Sequence, residues 1–464
     1  MDKYDIAVIG GGPGGYPAAI RAAQLGASVA LIEKDNVGGT CLNWGCIPTK
    51  TLIASAAFHA KAAHEPPAGL KTGEVSFDYK ALIDHKNKVV AKLRNGIAQL
   101  LKGNGVDVFP ATASFAGRNQ LLLKDSAGKE NTLEAKFIVI ATGCNSSLPS
   151  FLPRDEKIVE SRSFLDLEKL PKRLLVLGGG IIGSEMACLA AQLGTEVTIV
   201  EILDDILTIL DADLRAEVRC SMEKKLNVNI LTGKPLENIS CNGGAVKGEC
   251  SGKVLEADLL LCAAGRVPAT AGLALEQCGL QANQKGFIEV DAEYRTKAAN
   301  IFAIGDVNGK YQLAHAATAQ GIAAVESALG RRSRTREQVI PAGIFTSPEI
   351  GIAGLSELAC AENNRKILTG KFPFAALGKA ISAGETSGFV KWIADAATGQ
   401  LLGAAAVGAH ATELINEAAL AIQAEFTHEE LGRTVHVHPT MSEAWMEAAH
   451  AVSGHCIHLP PRKH

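Results

Sequence analysis

The stretch "YDIAVIGGGPGGYPAAIRAAQLGASVALIEK", residues 4–34, decides the fold. An apolar run enters a glycine turn, an alanine-rich segment follows, and a second apolar run ends in an acid. That order reads as strand, turn, helix and strand. Gly10, Gly12 and Gly15 form G-x-G-x-x-G, and Glu33 follows Gly10 by 23 residues. The same grammar recurs in "RLLVLGGGIIGSEMACLAAQLGTEVTIVEI", residues 173–202, where Gly178, Gly180 and Gly183 repeat the triplet and Glu201 follows Gly178 by 23 residues. One triplet is a weak signal in a chain with 47 glycines. Two, each set between strand and helix with an acid closing the next strand, are a strong one. Glycine lets the backbone approach a pyrophosphate, the helix N-terminus offers unpaired N–H groups, and the acid accepts from a ribose hydroxyl. Two dinucleotide sites are expected. The second acid also selects: Glu201, followed by Asp204 and Asp205 with no arginine close behind, would repel a 2′-phosphate, which favours NAD over NADP.

The chain has 464 residues, enough for several domains, and 47% of them are hydrophobic. A formal net charge of −3 gives no footprint for nucleic acid. No run reaches the length of a membrane span, since "AAIRAAQLGASVALIE" is broken by Arg21, Gln24 and Gly26. The start, "MDKYDIAVIGGG", lacks the features of a secretory signal, so a cytoplasmic protein is expected. Eleven scattered cysteines do not suit the disulfide framework of a secreted domain.

Two further strands end in similar punctuation. "FIVIATGCNSSLP" (137–149) runs into Ala141, Thr142 and Gly143, and "LLLCAAGRVPAT" (259–270) into Gly265 and Arg266. "NIFAIGDV" (300–307) ends in Gly305-Asp306, a place for a carboxylate to meet a sugar hydroxyl. After the basic linker "RRSRTRE" the texture changes to a mixed α/β third domain. There Leu414, Ala418 and Ile422 share one helix face. The expected architecture is α/β. Two Rossmann-like dinucleotide domains (1–145 completed by 269–335, and 146–268) precede a C-terminal α+β domain, 336–464.

Between the fingerprints lies "GGTCLNWGCIPTK", residues 38–50, with Cys41 and Cys46 five apart. Taken with the two fingerprints, "FAIGD" near 305 and "HVHPTMSE" near the end, it completes an ordered set. Across nearly the whole chain that set resembles the pyridine nucleotide-disulfide oxidoreductases of the glutathione-reductase type, and within them the dihydrolipoamide dehydrogenase branch. The resemblance implies FAD held by Gly10, Gly12, Pro13, Gly14, Gly15, Glu33, Lys34, Gly39, Thr40, Lys50, Ala113, Ala141, Thr142, Gly143, Asp306, Leu313, Ala314 and His315. It implies NAD on Gly178, Gly180, Ile181, Ile182, Gly183, Glu201, Gly265 and Arg266. It further implies a homodimer whose C-terminal domain forms the interface. The partner would be the dihydrolipoyl domain of a 2-oxo acid dehydrogenase complex or a glycine-cleavage carrier protein.

The cysteine pair has three readings: metal half-site, structural disulfide, or a redox pair. A reducing compartment disfavours the second, and no second Cys or His pair at short spacing supports the first. On a regular helix, residues five apart rise about 7.5 Å, more than the usual 4.4–6.8 Å between bridged Cα atoms. A bridge would need a distorted turn, which Gly45 can relax, and such a bridge is readily reduced. In the resemblance Cys41 exchanges with substrate and Cys46 faces the flavin. Lys50 lies against the flavin, pairs with Glu185 and falls one turn after Cys46. His438, before Pro439-Thr440, is the base that makes substrate thiolate, and Glu443 is its partner. His436 alternates with His438, so on an extended segment both point the same way, and His436 is expected to support it. Trp44 is bulky for its place between the cysteines. The tail "GHCIHLPPRKH" reads as a surface end, with metal binding a minor alternative. Glutathione reductase is the nearest rival. Mercuric and large thioredoxin reductases carry C-terminal redox residues absent here, while a flavoprotein scaffold or single-cysteine oxidase would not need both cysteines and His438.

Overall fold

The computed structural model describes residues 2–64, 66, 68–331 and 339–460; all but Arg331 of the expected linker "RRSRTRE" lies outside them. The first fingerprint forms as its pattern predicts. Strand Asp2–Ile9 buries Ile6, Ala7, Val8 and Ile9, and the turn leads into helix Gly15–Gln24. Pro17 sits in that helix's first turn, where no intrahelical donor is lost. A Cβ on Gly15 would run into the Gly10 carbonyl oxygen, so only glycine lets helix and strand pack this closely; Gly183 stands in the same relation to Gly178.

The first sheet has seven strands. In order come Asp107–Phe109, Val29–Ile32, Asp2–Ile9, Glu130–Ile140, Gln120–Asp125 and Ala111–Gly117; the seventh, Ile301–Ala303, adds parallel to residues 138–140. The first four run parallel, and the last two form an antiparallel meander with the first half of Glu130–Ile140. The second sheet is wholly parallel: Asn229–Thr232, Glu196–Glu201, Arg173–Leu177, Leu259–Cys262 and Ile158–Val159. Its helix Ile181–Gln192 is buried almost all round. The chain passes between the two units through an antiparallel ribbon of Cys144–Ser146 with Arg266–Pro268.

Residues 342–452 build a five-stranded antiparallel sheet packed by helices Ala411–Gln423 and Glu443–Val452. Leu414, Ala418 and Ile422 are buried there, as the helix spacing predicts. Trp392 and Trp445 meet at 4.7 Å between ring centroids, and each indole N–H donates to a backbone carbonyl, Trp445 O and Leu414 O. Lys391, from the same sheet, is 2% exposed and ion-pairs with Asp211, Asp213 and Glu357 at 3.0, 2.9 and 2.5 Å. Two of these acids begin helix Ala212–Lys224 of the second unit, so one buried ammonium fastens that unit to the C-terminal sheet. Among the described residues no helix is long and apolar enough to cross a membrane.

Candidate active site

Both acids at the ends of the fingerprint strands are held by backbone. The Glu33 carboxylate accepts from the N–H groups of Gly11 at 2.7 Å and Asp35 at 2.8 Å. Glu201 accepts from Gly179 at 2.6 Å and Leu203 at 2.8 Å. Each carboxylate therefore stands at the mouth of a glycine turn, where a ribose would lie. Asp205 differs from expectation. Its charge is met by Arg215 at 3.3 Å and Arg219 at 2.8 Å, which lie one turn apart on helix Ala212–Lys224. Arginines are thus nearby, but committed to a carboxylate, and the repulsion of a 2′-phosphate falls to Glu201 and Asp204.

The residues fit the two dinucleotides. No side chain caps the helices that start at Gly15 and Ile181. A Cβ built on Gly12 meets nothing closer than 3.8 Å, and one on Gly180 nothing within 4 Å, so both turns have an open face. The buried Thr142 hydroxyl has no partner among the described residues. Around the first turn, Ala141 abuts Gly10 and Gly39 packs on Gly12. Thr40 and Lys34 are exposed, and Ala113 is half-buried on its strand. Leu313 precedes helix Ala314–Ala328, and His315 Nε2 lies 2.6 Å from the Pro341 carbonyl oxygen. Asp306 is the second residue of a short 3-10 turn, Gly305–Asn308, and burial raises its carboxyl against the opposing pull of Arg266, whose guanidinium is 3.2 Å away. That ion pair joins a residue expected at the flavin to one expected at NAD, and nothing in the sequence announces it.

The cysteines stand on either side of a helix break. Helix Gly39–Trp44 ends at Gly45, whose φ of −139° and ψ of −111° interrupt the helical path, and Cys46 starts helix Cys46–His64. Both sulfurs are thiols, and each bears on the other. The Cys41 thiol lowers the Cys46 pKa; the Lys50 charge adds to this, against burial and Glu185. Cys46 in turn raises Cys41, with burial adding to it. Cys46 is thus the more acidic thiol of the pair. Lys50 Nζ lies 2.7 Å from Glu185 Oε2, while Glu185 Oε1 accepts from the Phe345 N–H at 2.8 Å. One carboxylate therefore ties the cysteine helix, the second fingerprint helix and the C-terminal unit together.

His438 is 76% exposed, and its Nδ1 lies 2.9 Å from Glu443 Oε1. Burial raises the Glu443 carboxyl, but the Thr440 N–H at 2.8 Å and the imidazole more than offset this, so its pKa falls. His436 departs from expectation. It is turned inward, 2.6 Å from Glu417 and only 6% exposed, so the two rings part, each drawn to a carboxylate on a different helix. Among the described residues no hydrogen bond or ion pair links His438 or Glu443 to Cys41, Cys46, Lys50 or Glu185. The chain gathers the sulfurs, lysine and one glutamate at one place, and presents the imidazole at another.

Among known proteins, the pyridine nucleotide-disulphide oxidoreductase model matches residues 4–321, and the dimerisation-domain model of that family matches residues 340–449. The dihydrolipoyl dehydrogenase of Chlamydia pneumoniae is 39% identical over 461 residues, 99% of each chain. That of Bacillus subtilis is 40% identical over 462 residues, 98% of each. Among solved structures, LpdA of Mycobacterium tuberculosis superposes with a TM-score of 0.90 at 30% identity, over 97% of this chain and 99% of that one. The HOCl-induced flavoprotein disulfide reductase RclA of Escherichia coli does so at 0.87 and 31%, over the same shares, as a Cu(II) complex.

Proposed function

The chain belongs to the pyridine nucleotide-disulphide oxidoreductase family, and from that premise we propose that it oxidises dihydrolipoyl groups to lipoyl groups, with NAD as the final electron acceptor. The observation that carries this reading is the Cys41–Cys46 pair on its broken helix, with Lys50 clamped by Glu185 one turn beyond. A substrate thiolate attacks Cys41 Sγ of the oxidised pair, and the Cys41–Cys46 bond breaks to leave Cys46 as thiolate. The second substrate thiolate then attacks the substrate sulfur bound to Cys41. A lipoyl disulfide leaves, and Cys41 takes up a proton. The pair has gained two electrons and stands reduced, with Cys46 its more acidic sulfur.

Each thiolate on the substrate needs a base, because the thiol itself does not attack. His438 supplies it, and Glu443 holds the ring and supports the imidazolium. Since His438 stands apart from the cysteines of its own chain, and residues 340–449 match a dimerisation domain, it serves the cysteine pair of a second copy. FAD, held on the first fingerprint, supplies a two-electron carrier between the dithiol and NAD. Lys50 keeps a positive charge beside the Cys46 thiolate, and Glu201 admits NAD in preference to its 2′-phosphate. The donor is the dihydrolipoyl domain of a 2-oxo acid dehydrogenase complex or a glycine-cleavage carrier.

The test is NAD reduction with dihydrolipoamide, set against NADPH oxidation with glutathione disulfide. Wild type should run the first; activity only in the second would make it a glutathione-type reductase. Cys46→Ser should abolish the reaction, and His438→Gln should slow it by about 10²- to 10⁴-fold. A mixed dimer of the two variants should recover up to half of wild-type activity, because one of its sites combines an intact pair with an intact imidazole. No recovery would mean that base and cysteines act within one chain.

A further inference from the structure

Trp44, the bulky residue between the cysteines, is three residues after Cys41 and so shares its helix face. The Arg162 guanidinium lies 3.8 Å from the centroid of the Trp44 ring. It makes no ion pair among the described residues, so its charge is committed to the indole. Arg162 hangs on a rigid mount, helix Ser161–Leu165. Glu160 fixes its start, accepting from the Arg162 N–H at 2.8 Å, the Ser163 N–H at 2.9 Å and the hydroxyl of Ser146 on the interdomain ribbon at 2.9 Å. Phe164 and Leu165 are buried in the cluster that takes in Leu52 and Ala56 of the cysteine helix. The buried Lys86 ammonium holds the Leu165 carbonyl at 2.8 Å.

The redox turn is secured separately at its two ends. Before Cys46, the Asn43 amide donates to the carbonyls of Gly39 and Val37 at 3.0 and 3.1 Å. After it, Lys50 is clamped by Glu185. At the break itself, where the Gly45 backbone leaves the helical path, Trp44 has the Arg162 stack. We propose that Arg162 is a positioning residue for the redox pair: through Trp44 it holds the broken turn in the arrangement that brings the Cys41 thiol onto Cys46, and so favours the dithiol over the disulfide. The charge acts on the indole and not on the sulfurs, since Lys50 and Glu185 are the charged side chains that bear on Cys46.

The proposal rests on reading Cys41 and Cys46 as the redox pair. The experiment equilibrates the holoenzyme against dithiothreitol buffers and reads the dithiol–disulfide constant of wild type, Arg162→Met, Arg162→Lys, Trp44→Leu and the Arg162→Met/Trp44→Leu double variant. A stack of this kind at an exposed site is worth a factor of about three. Arg162→Met should therefore shift the constant about threefold toward the disulfide, or about 14 mV for a two-electron couple. The Cys46 thiolate, seen through its long-wavelength band with the flavin, should then protonate at higher pH. Arg162→Lys should keep most of the wild-type value. The double variant should match Trp44→Leu alone, because Arg162 has nothing to act on once the ring is gone. If Arg162→Met lowers only thermal stability, with constant and pH profile unchanged, the stack is structural and the proposal falls. Additive effects in the double variant, or a threefold shift in Arg162→Lys equal to that in Arg162→Met, overturn it as well. A wild-type pair that does not cycle with dithiothreitol sinks the redox reading itself. A pair that cycles but ignores Arg162 sinks this inference alone.

Discussion

At both glycine turns the chain beyond the acid folds back onto the second glycine, but the first turn is packed from more sides than the second. The local parts match almost atom for atom, down to the backbone N–H that each acid accepts. Their housing differs. The Gly38 N–H donates to the Gly11 carbonyl at 2.8 Å, and a Cβ on Gly39 would come within 2.6 Å of the Gly12 Cα, so the segment leading to the cysteines forms a roof. From the other side Thr318 donates to the Pro13 carbonyl at 2.7 Å, and Gly321 packs against the Gly14 carbonyl. The second turn keeps the first of these contacts, since the Leu207 N–H donates to the Gly179 carbonyl at 2.9 Å and Ile206 packs on Gly179, but nothing lies within 4 Å of a Cβ on Gly180. The lesson is that fingerprint chemistry and fingerprint access are separable. The more closely packed first turn should retain its dinucleotide through many cycles, and the second should let it come and go.

The comparison is broken most directly at the glycines that pack helix on strand. Gly15→Ala should yield protein without flavin, because the clash lies inside a turn closed on three sides. Gly183→Ala should stay yellow and accept electrons from dihydrolipoamide, yet lose NAD reduction by about 10²-fold, the scale of an ångström-sized misplacement. Flavin absorbance and turnover with an artificial acceptor tell the two apart; equal loss of flavin in both would deny the difference in housing. A smaller effect is expected at Lys391, which fastens only the second unit. Lys391→Met strands Asp211, which is 8% exposed, with its neighbours, at about 3 kcal/mol. In denaturant this should appear as early loss of NAD-dependent turnover while flavin release keeps its midpoint. The smallest effect is sought at the paired acids. Glu201→Gln should relax the preference for NAD over NADP by about tenfold in kcat/KM, roughly 1.4 kcal/mol. Glu33→Gln should leave that ratio unchanged, though both carboxylates make the same backbone contacts.

Periodicity and spacing made much of this legible. Each fingerprint carries strand, turn and helix within about thirty consecutive residues, where local pattern governs. The helix break between Cys41 and Cys46 could be read from Gly45 and the five-residue spacing. Illegible were contacts whose partners lie far apart in the chain. Nothing near Asp205 in sequence tells that Arg215 and Arg219 reach back to it. His436 and His438 alternate as in a strand, but each follows its own carboxylate, Glu417 or Glu443, and period two is overridden. Nothing near Trp44 in the sequence announces that Arg162, 118 residues further on, lies on its ring. Asp306 and Arg266, assigned to different dinucleotides, meet because the ribbon at 144–146 and 266–268 brings the two units edge to edge.

The strand Ile301–Ala303 has a consequence for how the molecule is made. Synthesis starts at the N-terminus, so the first sheet emerges a strand short and stays so while the next 160 or so residues are translated. The second unit has all five of its strands between Ile158 and Cys262 and can close its core as soon as it leaves the ribosome. The unit encoded first is therefore completed later, and the strand that finishes its sheet is followed at once by Asp306 and helix Ala314–Ala328, which close the flavin turn. Cofactor loading is in this way timed to the last third of translation.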